Sequence, residues 1–164
     1  MPELATNSPI ASPFAMYRNA GRGLVMRYPA AWEKVEESTP IAFALLFRAP
    51  ADDPASQFRE NALITIQPLL GQVTLDEYVL FRLREFQERF QFAEPTPATL
   101  AGIPARQLTY SGALDPMLPI PARFSTLVAL KENCAYMFAY TARAERFDRY
   151  WPFVREMIAS LNIL

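Results

Sequence analysis

A chain without histidine must do any acid–base or metal chemistry with carboxylates, phenols or a thiol, and this one has no His and a single cysteine, Cys134. The commonest general base, the usual metal ligand and the ordinary switch near neutral pH are missing together. Cys134 stands between Asn133 and Ala135 in an apolar context and reads as a buried structural thiol without a disulfide partner. Nucleophilic triads lack their base and zinc sites their ligand set. The five glycines form neither a phosphate-binding loop nor a dinucleotide fingerprint. Acidic neighbours occur at Asp52/Asp53, Asp76/Glu77 and Glu36/Glu37. Acid–base work needs such a pair buried, with their pKa values pushed apart, whereas these read as solvated loops and a helix start. The expectation is a non-enzyme with no catalytic residue, cofactor or metal site.

Binding is the chemistry that remains, and three features could mark a surface for it. The segment Leu114-Asp115-Pro116-Met117-Leu118-Pro119-Ile120-Pro121 sets Leu114, Met117, Leu118 and Ile120 among prolines. It is expected to be a stiff inter-strand connection, kept out of the sheet by proline, that offers apolar side chains at low ordering cost. Phe81 is the second feature, and the amino-terminal arm, which could dock in cis, is the third.

Elements must position these residues. Gly23–Tyr28 and Trp32–Glu36 read as two short strands meeting at the Pro29-Ala30-Ala31 corner. The apolar run Ile41–Phe47 fits a strand buried on both faces. A polar loop over 51–60 follows, and Asn61–Gln67 is the next strand. Thr74-Leu75-Asp76-Glu77 is a capping box that opens a helix to about Phe90. Leu75, Val79, Leu83, Phe86 and Phe90 share its core stripe, and Phe81 falls on the polar side beside Glu77, Arg84 and Glu88. Three further strands are expected over Arg106–Tyr110, Arg123–Leu130 and Ala135–Thr141, the last two a hairpin turned at Lys131-Glu132-Asn133. Asp148 can cap a final helix with Pro152 in its first turn and Phe147, Tyr150, Val154, Met157, Ile158 and Leu161 on its buried face. Strands, helix, strands, helix, joined by hairpins, imply an antiparallel sheet with helices packed against it.

The 164 residues suit one domain, a size at which roughly 70% of the unfolded surface is buried on folding. With 51% apolar, 13% aromatic and 20% charged residues it carries enough core material to fold alone. Sixteen Lys and Arg against seventeen Asp and Glu are scattered without a basic stripe, so no nucleic acid partner is expected. No run approaches the roughly 20 apolar residues of a membrane span, and no membrane insertion is expected. Met1–Pro13 lacks the charged start and apolar core of a signal peptide, so the chain is either cytoplasmic or relieved of its export signal. The stretch Pro2–Pro13 has the small, polar, proline-containing composition of a linker such as follows a lipoprotein anchor. Residues 1–13 are therefore expected to be a flexible arm or linker, and 14–164 a single domain.

In order along the chain, Tyr17-Arg18-Asn19, then Gly23-Leu24-Val25-Met26-Arg27-Tyr28-Pro29 and Trp32 resemble the Tyr-x-Asn … Gly-x-x-hydrophobic-x-Tyr-Pro-x-x-Trp opening of PsbP-like domains. Glu60-Asn61 entering a strand, Thr74–Tyr78 opening a helix, Leu100–Ala105 leading a strand and the helix end at Ser160-Leu161 agree with it. The likeness runs from Tyr17 to Ile163. It implies an α+β fold of the Mog/PsbP/DcrB-like superfamily, an α/β/α sandwich with a central antiparallel sheet flanked by helices. It also implies binding or assembly roles without catalysis, as plant PsbP members stabilise the oxygen-evolving side of photosystem II. Metal sites proposed for some photosynthetic relatives use His, so none is carried over. The leading expectation is a non-catalytic accessory or assembly domain associating with a larger protein complex, in the cell envelope or thylakoid lumen. The alternative is a cytosolic DcrB-like chaperone or adaptor that shields an apolar client segment.

Overall fold

The computed structural model describes residues 13–51 and 58–164. The chain opens with an antiparallel hairpin, β1 (Phe14–Asn19) and β2 (Leu24–Pro29), completed by β11 (Asn162–Ile163) into a three-stranded sheet. Gly23 turns this hairpin at φ 68°, and a Cβ there would stand 3.0 Å from the Leu164 carbonyl, which only glycine avoids.

A larger antiparallel sheet holds β3 (Glu33–Ser38), β4 (Phe43–Arg48), β5 (Asn61–Pro68), β10 (Cys134–Arg143), β9 (Leu118–Lys131), β8 (Ile103–Asp115) and β6 (Gln91–Phe92) in that order. The strand β7 (Thr96–Leu100) also pairs with β8. Helix α1 (Leu75–Phe86) lies against β8 and β9 on one face, and α2 (Phe147–Ser160) lies against β2 and β10 on the other. Alternation along β9 shows the two faces: Leu127 and Ala129 join the main core under α2, while Val128 joins a small cluster under α1. Helices on both faces of an antiparallel sheet make the α/β/α sandwich of the α+β class.

The main core is rich in aromatic side chains. Phe43, Leu45, Phe47, Phe138, Tyr140 and Met157 are each at most 2% exposed. Glu60 is buried with them, its carboxylate accepting from Arg143 Nε at 2.8 Å, Nη2 at 3.1 Å and the backbone N–H at 3.2 Å. Burial alone would raise the Glu60 pKa, but the Arg143 hydrogen bonds prevail and hold it below the ordinary carboxylate value. The pair ties the start of β5 to the end of β10. Tyr17 donates to Glu36 and so clips the small sheet to β3, which with burial pushes the Tyr17 pKa up to about 12.

Several expectations need correction. The run Ile41–Phe47 is not buried on both faces: β4 alternates, with Phe43, Leu45 and Phe47 inward and Ala44, Leu46 and Arg48 half-buried. The helix from Thr74 ends at Phe86 rather than near Phe90. The chain turns there so that the Phe90 ring reaches Phe124, with centroids 5.0 Å apart. Asp148 is not the cap of α2. A 3-10 turn, Ala144–Arg146, leads in, Asp148 falls in the first turn, and Pro152 sits one turn further, where it removes a rung of the ladder. Cys134 is half-buried, not buried.

The Leu114–Pro121 segment is not a connection kept out of the sheet. β8 and β9 run through it, with Ala113 opposite Pro121, Asp115 opposite Leu118 and a bulge between. β10 begins its pairing with β9 only at Ala122 and β6 stops at Ser111, so Pro119 and Pro121 occupy an edge that no other strand among the described residues uses. Residues 1–12 of the amino-terminal arm and Asp52/Asp53 lie outside the described residues. β1, β6, β7 and β11 were not expected as strands.

Candidate functional site

The surface with the clearest binding geometry lies where β5 hands over to α1. Pro68 ends the strand, and the five-residue connection Leu69–Val73 is tied at its first residue: Leu69 N–H donates to the Asn133 carbonyl at 2.9 Å. Asn133 and Glu132 turn β9 into β10 with φ of 63° and 51°, a left-handed pair as in a tight hairpin turn. Beyond Leu69 the loop stands away from the body. Leu70 is fully solvent-exposed and Val73 is 42% exposed.

Thr74 then starts α1. Its hydroxyl accepts from Glu77 N–H at 3.1 Å and its N–H donates to the Glu77 carboxylate at 2.9 Å, completing the capping box. These bonds hold the Glu77 pKa below the ordinary value. The carboxylate bordering the groove is thereby a weaker base with one oxygen engaged by the cap, which leaves it poorly suited to general-base work. One turn on, Phe81 projects at 63% exposure, with Tyr78 half-buried beside it.

Between loop, helix and sheet lies a concavity of about 590 Å³, lined by Pro68, Leu70, Val73, Tyr78, Phe81 and Ala135 among others. Across the loop a second hollow of about 720 Å³ is bordered by Thr74, Glu77, Lys131, Glu132 and Asn133. The first is an apolar groove with few polar groups, the form in which proteins present binding surfaces. Among the described residues no group of three His, Cys, Asp or Glu is placed to hold a metal ion.

The structure brings Phe81 into this groove, but none of the other four residues singled out from the sequence. Met117 sits at the tip of the β8–β9 hairpin, 91% exposed, with its N–H donating to Asp115 Oδ1 at 2.8 Å. Leu114, Leu118 and Ile120 are half-buried in the same hairpin. Leu70 and Val73 escaped notice. The signal that could have found them was the one applied to 114–121: apolar residues in a loop that follows Pro68 and contains Gly71.

No protein-family model matches the chain, and no curated protein matches it. Solved structures do. It is similar to cyanobacterial PsbP (CyanoP) from Synechocystis at 15% identity and TM-score 0.62, with 93% of each chain covered. LpqN, involved in cell envelope biogenesis of Mycobacterium tuberculosis, is similar at 14% identity and TM-score 0.62, over 92% of this chain and 85% of that one. PA94 from Pseudomonas aeruginosa, a protein of unknown function, follows at 15% identity and TM-score 0.57, over 86% and 90%. At such identities the likeness is one of fold, and the fold of this chain is PsbP-like.

Proposed function

We propose that this chain is a non-catalytic accessory or assembly domain that joins a larger protein complex by receiving an apolar segment of its partner in the groove beside α1. One observation carries the reading. Leu70, Val73 and Phe81 hold their side chains at 107%, 42% and 63% exposure around an apolar concavity, where a free-standing domain gains by covering them. The PsbP-like fold supports the accessory class but hosts no single function, so the site bears the weight. The involvement of LpqN in cell envelope biogenesis and the likeness to a cyanobacterial PsbP favour the cell envelope or thylakoid lumen as the location of this chain.

The test is co-purification from native cells with the tagged full chain, a Leu70→Ser/Phe81→Ser variant and a Met117→Ser variant, each first shown to be folded by circular dichroism. The expected result is one stoichiometric complex that survives Met117→Ser and is lost with the groove variant. Loss with Met117→Ser alone moves the contact to the hairpin tip. Many substoichiometric clients would favour a DcrB-like chaperone, and retention by every variant refutes docking at either place.

A further inference from the structure

The two helices are held very differently. α2 buries Phe147, Tyr150, Val154 and Met157 in the main core, whereas α1 fully buries only Val79, against Leu108 and Val128, with Leu75, Tyr78 and Leu83 half-buried beside it. Hollows flank α1 on both sides, about 590 Å³ toward β5 and about 330 Å³ toward the segment at Glu94-Pro95. Asp76 in its first turn reaches Arg106 of the sheet at 3.1 Å, with the Asp76 side chain 76% exposed, and such an exposed pair contributes little.

The other end of α1 is anchored. Phe86 packs on Phe90, whose ring stands 5.3 Å from Tyr110 and 5.0 Å from Phe124, and those two rings stack at 4.7 Å. Arg89 adds a hydrogen bond to the Leu114 carbonyl at 3.0 Å. At the front, the connection back to the tied Leu69 is the exposed loop already described.

We infer that α1 is a hinged flap, pinned at its C-terminal end by this aromatic cluster, whose N-terminal end lifts from the sheet as a local unit while the rest of the domain stays folded. Lifting uncovers Leu108 and Val128 and widens the groove toward β9. The inference rests on how α1 is packed and is independent of what the groove binds. A detached helix of twelve residues is marginal in water, so lifting also melts it, and amide exchange reads the event.

The experiment is residue-resolved hydrogen exchange on the full chain and on Val79→Ala under native conditions. Amides from Val79 to Arg84 are expected to exchange on the order of 100-fold faster than those from Val154 to Ile158. Phe86 and Phe90 should be slower than Val79. In Val79→Ala the α1 amides speed up and the α2 amides do not. Exchange of α1 at the α2 rate, or equal acceleration of both helices by Val79→Ala, overturns the local unit. Phe86 exchanging as fast as Val79 overturns the hinge.

Discussion

Replacing Arg143 with Met leaves the Glu60 carboxylate in the core with one of its three hydrogen bonds, the backbone N–H at 3.2 Å. Glu60 is 1% exposed, and a Met side chain offers it no donor in place of the guanidinium. Breaking a buried pair from one side costs about 3–5 kcal/mol, a large part of the roughly 5–15 kcal/mol that holds a domain folded. The pH dependence follows from the direction of the shift. In the wild type Glu60 is held below its unfolded value, so its contribution is complete above the ordinary carboxylate range and fades as pH falls through the lowered folded value. In Arg143→Met, burial without the guanidinium raises that pKa, and the penalty at pH 7 is relieved as the carboxyl takes a proton. The stability gap is therefore widest near neutrality and narrows toward about pH 4. Urea unfolding of both proteins from pH 7 to 4 measures it, as a change in midpoint at constant slope. A gap below about 1 kcal/mol at pH 7, or one that does not narrow with acid, refutes the account. Glu60→Leu/Arg143→Met should recover most of the loss, because no charge is then stranded.

Gly112→Ala would place a Cβ 2.7 Å from the Phe90 ring and 3.1 Å from the Arg89 carbonyl. The backbone carbonyl cannot swing aside, so the variant should lose about 1–3 kcal/mol in chemical denaturation. Thr74→Ala removes the N-cap of α1 and should cost about 1 kcal/mol, with faster exchange in α1 than in α2. Phe81→Ser should leave thermal stability within about 0.5 kcal/mol of wild type, since the ring is already exposed, and a larger loss would mean that it packs in solution.

Elements whose local signals agree with their surroundings were legible. The Thr74/Glu77 box, the hairpin turn at Lys131-Glu132-Asn133 and most of the buried side of α2 follow from local sequence. Phe81 also stood out, because it broke the polar side of its helix. The misses share a physical origin. β6 and β11 have two residues each and exist because a neighbour supplies hydrogen bonds, which no local pattern encodes. Pro119 and Pro121 read as breakers, yet a hairpin reaching past its neighbours has a free edge on which a missing N–H costs nothing. Glu60 looked like a loop residue until Arg143, 83 positions away, came beside it.

The groove was half legible for the same reason. Phe81 announced itself by violating a helical period, whereas Leu70 and Val73 sit in a loop that has no period to violate. Their meaning comes from the loop being tied only at Leu69 and then standing clear of the sheet, a tertiary fact. α1 is also where the sequence overstated burial: its stripe of Leu75, Val79, Leu83, Phe86 and Phe90 is sound as a wheel, but the helix covers only part of the sheet and fully buries Val79 alone. Of the two helices, the one with the better local signals is thus the one less secured by packing. Its capping box fixes where the helix starts, but twelve residues are too few to stay helical once detached, which suits a helix that melts as it lifts and re-forms when it returns to the sheet.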